Sequence, residues 1–384
     1  MEEVSIIISS RNEEKQIPFT VTNLMLDMEQ SGIKKWEIII ADNGSSDWTT
    51  RFWKFAWNNP YAKNASNQVI DEYRKGARGL AAEGRLRFCY DPVFSNVGAR
   101  DKAVRYARYK NIIFADAHIA VKPNTIAYAL ETVNIYGGIV HVPVAWMGAS
   151  IDRPQAGAQY SYKIGEKIWG TWNRYKVSED RPFYIPVSGH CFLAMNKEEY
   201  LKMGGYDTHQ QIYGGGENYL DTLFWMMGSN VMCDPRGLVF HLSAGRGYSY
   251  NQNSLIHNMM MTAYTLGGHK WSERILIAYL DKPGSDEKFL KEIYATALLH
   301  GQPKRDFIEA NKVMSLEDVL ALNKEPDCDG FEYKGNKHAM RIWDTLNEKL
   351  HGKHISFVVV FDDWLNRLKT DTAKQFYTNS SYQK

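Results

Sequence analysis

Asn111-Ile112-Ile113-Phe114-Ala115-Asp116-Ala117-His118 is a short apolar run of strand-forming residues that ends in an acid, a small residue and a histidine. Runs of this kind read as a buried strand of a parallel sheet. Side chains two apart along a strand share a face, so Asp116 and His118 are expected to aim at one spot. A carboxylate oxygen beside an imidazole nitrogen suits a divalent metal. The plain alternative is a strand followed by a turn, with Asp116 as cap and His118 in solvent. The surrounding stretches decide between the two.

Working outward, Val4 to Ser10 reads as a buried strand followed by Arg11-Asn12-Glu13-Glu14, and residues 15–30 have helical spacing (Ile17, Val21, Leu24, Met25, Met28). Trp36 to Ala41 is a second strand, ending in Asp42-Asn43-Gly44-Ser45-Ser46-Asp47. Residues 48–78 look helical, Leu86 to Tyr90 is a third strand, and Asn96-Val97-Gly98-Ala99-Arg100 opens a helix through about Tyr109. A further helix starts near Pro123-Asn124, after the Asp116 strand. Alternating strands and helices imply an α/β fold with a parallel sheet and right-handed crossovers. Ligands of such sheets bind at the carboxyl ends of the strands, where Asp42, Asn96 and Asp116 all fall.

Downstream, Gly138 to Ala145 is expected as one strand, and 146–182 as a long loop excursion. Tyr184 to Met195 reads as a strand pair around Ser188-Gly189-His190, and Asn196 starts a helix that ends at Gly204-Gly205. Tyr213-Gly214-Gly215-Gly216-Glu217-Asn218 leads into another helix. Val231 to Leu242 carries a strand ending in Phe240-His241, and a glycine-rich stretch around Arg246 follows. Beyond about 250 the composition changes. Residues 252–322 read as amphipathic helices and 354–362 as one late strand. The expected division is 1–250 and a mostly helical region, 251–384.

The 384 residues allow a large core, and 44% hydrophobic with 23% charged residues is a globular composition. A net charge of +2 gives no argument for nucleic acid by itself. Cys89, Cys191, Cys233 and Cys328 form no CxxC pair, which fits a reducing, cytoplasmic compartment. No run approaches the ~20 apolar residues of a membrane helix, and the first residues lack the basic and apolar segments of a signal peptide.

Taken in order, strand-RNE, strand-ADNGSSD, NVGARDKAV, FADAH and GGGEN resemble a GT-A glycosyltransferase, broadly of the family 2 kind, over residues 4 to about 250. Asp116-Ala117-His118 stands where that family has DxD. The DxH variant is similar to the polypeptide N-acetylgalactosaminyltransferases, which complete their metal site with a second histidine far downstream. His241 stands where that ligand would. GGGEN is similar to their WGGEN, with Tyr213 beside the glycines. The disulfide-rich luminal setting and lectin domain of those enzymes are not seen in these residues, so donor sugar and acceptor are not carried over.

The resemblance implies a GT-A (Rossmann-like) nucleotide-sugar domain and a UDP-sugar donor. It implies Mn²⁺, or Mg²⁺, on Asp116, His118 and His241. A cation there would neutralise the leaving pyrophosphate. Asp42 is a candidate for uracil or ribose, though Asp-Asn-Gly also starts turns unaided. Arg11 and Glu13 lie in the loop that meets the nucleotide, with a helix-capping role as the alternative. Arg100 can reach base or phosphates, or be a solvated helix residue. Arg246 is a candidate lid arginine. Glu217 and Asn218 can bond sugar hydroxyls, and Glu217 or Asp221 would be the base of an inverting reaction. The acceptor stays open among glycan, protein and hydroxymethylated DNA bases. Arg153, Lys163, Lys167, Arg174, Lys176 and Arg181 keep the DNA option alive. A non-catalytic nucleotide-sugar-binding module is the alternative outside enzymology.

Overall fold

The computed structural model describes residues 2–14, 16–47, 49–50, 79–95, 97–147, 150–155, 158–160, 170–172, 181–242 and 249–320. The helix expected over 48–78, the strand over 354–362, Arg246, Asn96 and most of the basic 153–176 side chains lie outside those residues.

Isoleucine-rich strands that are buried on both faces make the central sheet. In β1 (Glu3–Ser10), Val4, Ile6 and Ile8 join one core while Ile7 joins the other. β2 (Lys35–Asp42) divides in the same way, with Trp36, Ile38 and Ile40 on one side and Ile39 and Ala41 on the other. In β4 (Asn111–Asp116), Ile112 and Phe114 face one core, and Ile113 and Ala115 the second. β3 (Leu86–Tyr90) closes one edge of the sheet. Pairing in β1 is parallel on both sides and sets Ser10 against Asp42 and Ser9 against Asp116. This register brings the two acids to one edge.

α1 (Ile17–Gln30) and α3 (Thr125–Tyr136) cover one face, and α2 (Gly98–Tyr106) lies on the other. Ser188 to Cys191 leads into β12 (Phe192–Asn196), which is antiparallel to β4. β12 also runs antiparallel to β6 (Ile139–His141). The sheet is therefore mixed rather than parallel. Its order is β11-β13-β6-β12-β4-β1-β2-β3, with β11 at Phe183–Tyr184 and β13 at Val231–Cys233.

Two expected single strands are each divided between sheets. Pro143 lacks the N–H that a continuing strand needs. The segment from 138 becomes β6 and then β7 (Val144–Met147), which belongs to a second sheet. Likewise β13 is followed by a turn in which Arg236 bonds Asp234, and then by β14 (Val239–Leu242). The second sheet has the order β5-β14-β7-β8, where β5 is Ile119–Val121 and β8 is Ser150–Gln155. β8, with the paired β9 (Ala158–Tyr160) and β10 (Gly170–Trp172), gives strand structure within the stretch expected as loop.

α4 (Lys197–Lys202) and α5 (Gly216–Met226) precede the helical end of the chain. There α6 (Gln252–Gly267), α7 (His269–Leu280), α8 (Glu287–Asn311) and α9 (Leu316–Leu320) pack together. Leu266, Ile308, Leu316 and Val319 enter the same core as Ile7, Phe114 and the buried face of α5. No helix among the described residues is long and apolar enough to cross a membrane.

Candidate functional site

β4 ends at Asp116, and two residues later His118 leaves the turn into β5. That turn is fastened from α1: the Thr20 hydroxyl lies 2.9 Å from the Ala117 carbonyl and 3.0 Å from that of Ile119. β14 pairs antiparallel with β5, setting His241 opposite Ile119. Histidine and acid, 125 positions apart, meet with His241 Nε2 3.3 Å from Asp116 Oδ2. The His118 and His241 rings stand edge to face, 4.8 Å between centroids, and Trp146 of β7 covers His241 at 4.7 Å.

Ligand atoms of Asp116, His118 and His241 all lie within 4.8 Å of one another. Glu13 accounts for the orientation of His118, because its Oε1 lies 3.1 Å from His118 Nδ1. A carboxylate on one ring nitrogen fixes the tautomer and leaves Nε2 as a lone-pair donor, the usual arrangement behind a metal-ligating histidine. Among the described residues, His241 Nδ1 is buried without a hydrogen-bond partner. One carboxylate and two imidazoles fit a first-row divalent ion such as Mn²⁺.

Arg100 enters from α2, where its Nη2 lies 3.3 Å from Asp116 Oδ1 and its Nε donates to Ser9 Oγ at 2.6 Å. Burial pushes the Asp116 carboxyl up, but the hydrogen bond with His241 and the Arg100 charge outweigh it and hold the group well below the usual carboxylate range. The acid is therefore ionised and ready for a cation at any physiological pH.

The loops after β1 and β2 are zipped together. Asn12 N–H donates to Ser45 Oγ at 2.9 Å, Ser46 N–H to Asn12 Oδ1 at 2.8 Å, and Glu13 N–H to Thr49 Oγ1 at 2.7 Å. Arg11 donates to the Asn43 carbonyl at 2.6 Å and lies 3.4 Å over the Phe94 ring. Asp42 is buried and accepts from Ser45 N–H and Oγ–H. Burial pushes its carboxyl up, against the pull of those bonds. Arg11, Asp42 and Phe94 thus form a group at the ends of β1 and β2, and Arg100 and Glu13 join the metal cluster.

α5 begins just after Gly214-Gly215, and Asn218 is buried in its first turn. Gly215 has φ +81°, and a Cβ there would lie 2.9 Å from the Asn258 carbonyl. Glycine is required for this approach. Glu217 belongs to the same turn. Asp221 is brought neither to the metal cluster nor to the surface. It is fully buried, and Ser188 occupies it with N–H at 2.7 Å and hydroxyl at 2.9 Å.

Sequence reasoning missed Phe94, the tie of Glu13 to His118, and Asn258. Asn258 Nδ2 donates to the Gln211, Tyr213 and Gly214 carbonyls at 3.0, 2.9 and 3.0 Å. Asn258 is one of several buried polar residues of its helix, with Ser254, His257, Thr262 and Thr265, and the sequence does not name its partners.

No family model matches the chain. It is 22% identical over 369 residues to N-acetylgalactosaminyltransferase 7 of Drosophila melanogaster, covering 89% of this chain and 53% of that protein. It is 23% identical over 252 residues to the probable N-acetylgalactosaminyltransferase 8 of Caenorhabditis elegans, 62% of this chain and 54% of the relative. The chain thus spans about half the length of these curated relatives. Among solved structures, GalNAc-T7 with UDP, GalNAc and Mn²⁺ matches with a TM-score of 0.52 and 16% identity, over 77% of this chain and 56% of that one. That likeness shows the GT-A fold.

Proposed function

We propose that this chain is a metal-dependent glycosyltransferase that moves a sugar from a UDP-sugar to an acceptor hydroxyl. The observation that carries the reading is the convergence of Asp116, His118 and His241 at the carboxyl edge of a GT-A sheet. A divalent cation held there, Mn²⁺ before Mg²⁺, would neutralise the departing pyrophosphate. The chain supplies the rest. Asp116 brings the negative charge, Glu13 orients His118, and Arg100 offers a second positive group beside the phosphates. Asp42 and the Arg11–Phe94 pair form the wall that receives the nucleoside. Arg246 is assigned to a lid over the phosphates.

Glu217 and Asn218 are assigned to the sugar and acceptor side, where the glycines permit close approach. Asp221 has its oxygens taken by Ser188, so Glu217 is the carboxylate assigned as base if the reaction inverts. The relatives are named N-acetylgalactosaminyltransferases, which places UDP-GalNAc first among donors to try. The buried thiols Cys89, Cys191 and Cys233 support a reducing, cytoplasmic setting.

The test is a UDP-sugar screen with Mn²⁺ against peptide, glycan and hydroxymethylated DNA acceptors. UDP release that stops with chelator and returns with Mn²⁺ is expected. Turnover indifferent to chelator, or no UDP-sugar consumed with any acceptor, would overturn the reading.

A further inference from the structure

β5 is an edge strand whose outer side is covered by a helix. On its inner side it pairs with β14, which sets His241 opposite Ile119. Ile119, Ala120 and Val121 are buried, so the outward N–H and C=O groups of this edge need partners. A helix interior offers none from its backbone, because its N–H and C=O groups bond one another. α1 supplies side chains instead. The Thr20 hydroxyl donates to the Ala117 carbonyl at 2.9 Å and shares that proton with the Ile119 carbonyl at 3.0 Å, while it accepts the Ile119 N–H at 3.1 Å. Asn23 Oδ1 accepts the Val121 N–H at 2.7 Å. Asp27 accepts the Asn124 N–H at 2.5 Å and the Ile126 N–H at 2.9 Å, where α3 begins.

Thr20, Asn23 and Asp27 follow one another at three and four residues, the spacing of neighbours on one face of a helix. All three are buried, beside the apolar stripe of Ile17, Val21, Leu24 and Met28. This polar stripe stands in for a neighbouring strand from Ala117 to Ile126.

Its three rungs are not equivalent. The Ala117 carbonyl belongs to the peptide plane before the His118 Cα, and the Ile119 N–H to the plane after it. Peptide units are rigid, so one hydroxyl that grips both planes fixes the direction in which the His118 side chain leaves the turn. A threonine hydroxyl has the one proton and the lone pairs that this needs. The imidazole ring is held separately by Glu13, whose own carbonyl accepts the Gln16 and Ile17 N–H groups at the start of α1. Backbone and ring of His118 are thus both referred to α1. Asn23 and Asp27 grip the chain only farther on, beyond Ala120.

We propose that Thr20 is a positioning residue of the metal centre: its hydroxyl fixes the two peptide planes that flank His118, aims the imidazole at the Asp116 corner and so sets the affinity for the divalent ion. The proposal rests on the metal-centre reading. Asn23 and Asp27 secure the same segment without aiming a ligand.

The experiment is Mn²⁺ titration followed by the EPR signal of the free ion, without donor or acceptor, on the full chain, beside metal-free melting curves. Thr20→Val keeps the branched shape and deletes the hydroxyl. Its Mn²⁺ Kd should rise about tenfold, the low end for residues that orient a metal ligand. Thr20→Ser keeps the hydroxyl and should bind near the parental value. Asn23→Leu removes the next rung; it should lower the melting temperature as Thr20→Val does, and leave the Kd at the parental value. Should Thr20→Val not fold, Thr20→Ala places no methyl against the carbonyls and must show the same loss of affinity. A serine variant as weak as the valine one, or an equal loss in Asn23→Leu, overturns the proposal, because the stripe would then act only through general stability. A parent that takes up no Mn²⁺ overturns the metal reading and this proposal with it. Binding by the parent that Thr20→Val and Thr20→Ala leave unchanged defeats the positioning role alone.

Discussion

Two histidine clusters in this chain look alike in composition and differ in kind. At the sheet edge, His118 and His241 converge with Asp116 so that three donor atoms lie within 4.8 Å of one another. Where the helical end meets the loop before the GGGEN turn, His209, His257 and His300 gather as well. His257 Nε2 lies 3.0 Å from His300 Nδ1, and the His300 ring stacks on His209 at 5.3 Å. There the imidazoles turn their nitrogens on each other, and the nearby acid is on the flank, with Asp207 Oδ1 3.1 Å from His209 Nδ1. Among the described residues only the first group has the geometry for an ion. A carboxylate in the middle makes a ligand set, whereas a carboxylate at the end makes a hydrogen-bonded fastening of α6, α8 and the loop before the GGGEN turn.

The largest expected effect breaks the first cluster. Asp116→Ala should cost about three orders of magnitude in Mn²⁺-dependent turnover, on the order of 4 kcal/mol, and abolish Mn²⁺ uptake while the chain stays folded. His300→Ala should leave Mn²⁺ affinity at the parental value. Ion binding that survives the first change, or disappears with the second, would erase the distinction.

A smaller effect sharpens the other side. Asn258, next to His257, is fully buried and holds Gln211 N–H at 2.7 Å as well as the carbonyls of the loop. Asn258→Ala strands those groups and should lower unfolding stability by about 2–4 kcal/mol. Urea unfolding measures this, and Mn²⁺ affinity should change little. A stability loss within error would show that the fastening is incidental.

How much of this was legible follows from the same contrast. Asp116 and His118 share a short segment, so strand periodicity alone could pair them. His241 came from the ordered likeness to a family, not from spacing. The splitting of 138–147 between two sheets was signalled by Pro143. The reversal of β12 was not, because an apolar run such as Phe192 to Met195 reads the same in either direction. Asp221 is a candidate base from sequence alone, because an acid one turn into a helix says nothing of what faces it. Ser188, 33 positions earlier, decides that. The second histidine cluster was invisible because its members come from a loop and two helices whose packing the chain pattern does not specify.

The smallest effect concerns acid. Burial pushes the His257 and His300 imidazoles below the ordinary histidine value of 6.5, and a neighbouring imidazole pushes each in the same direction. His141, buried in β6, is pushed down to about 4, by burial first. An unfolded chain protonates these rings near 6.5 while the native chain resists, so between there and the lower native values the unfolded state holds more protons. Stability must then fall as pH falls through that window. The 3.0 Å contact of His257 with His300 needs one nitrogen as donor and one as acceptor, and a second proton removes the acceptor. Urea midpoints compared at about pH 7.5 and about pH 5, with chelator present so that the metal corner adds no ion-linked term, should fall in the parent. His300→Phe keeps a ring on His209 and removes one of the depressed groups. Its fall should be shallower by about 1 kcal/mol, the scale of one neutral hydrogen bond, with buried His257 and His141 supplying what remains. An equal fall in both proteins would mean that the helical cluster titrates like histidines in water, and that its contacts do not hold it neutral.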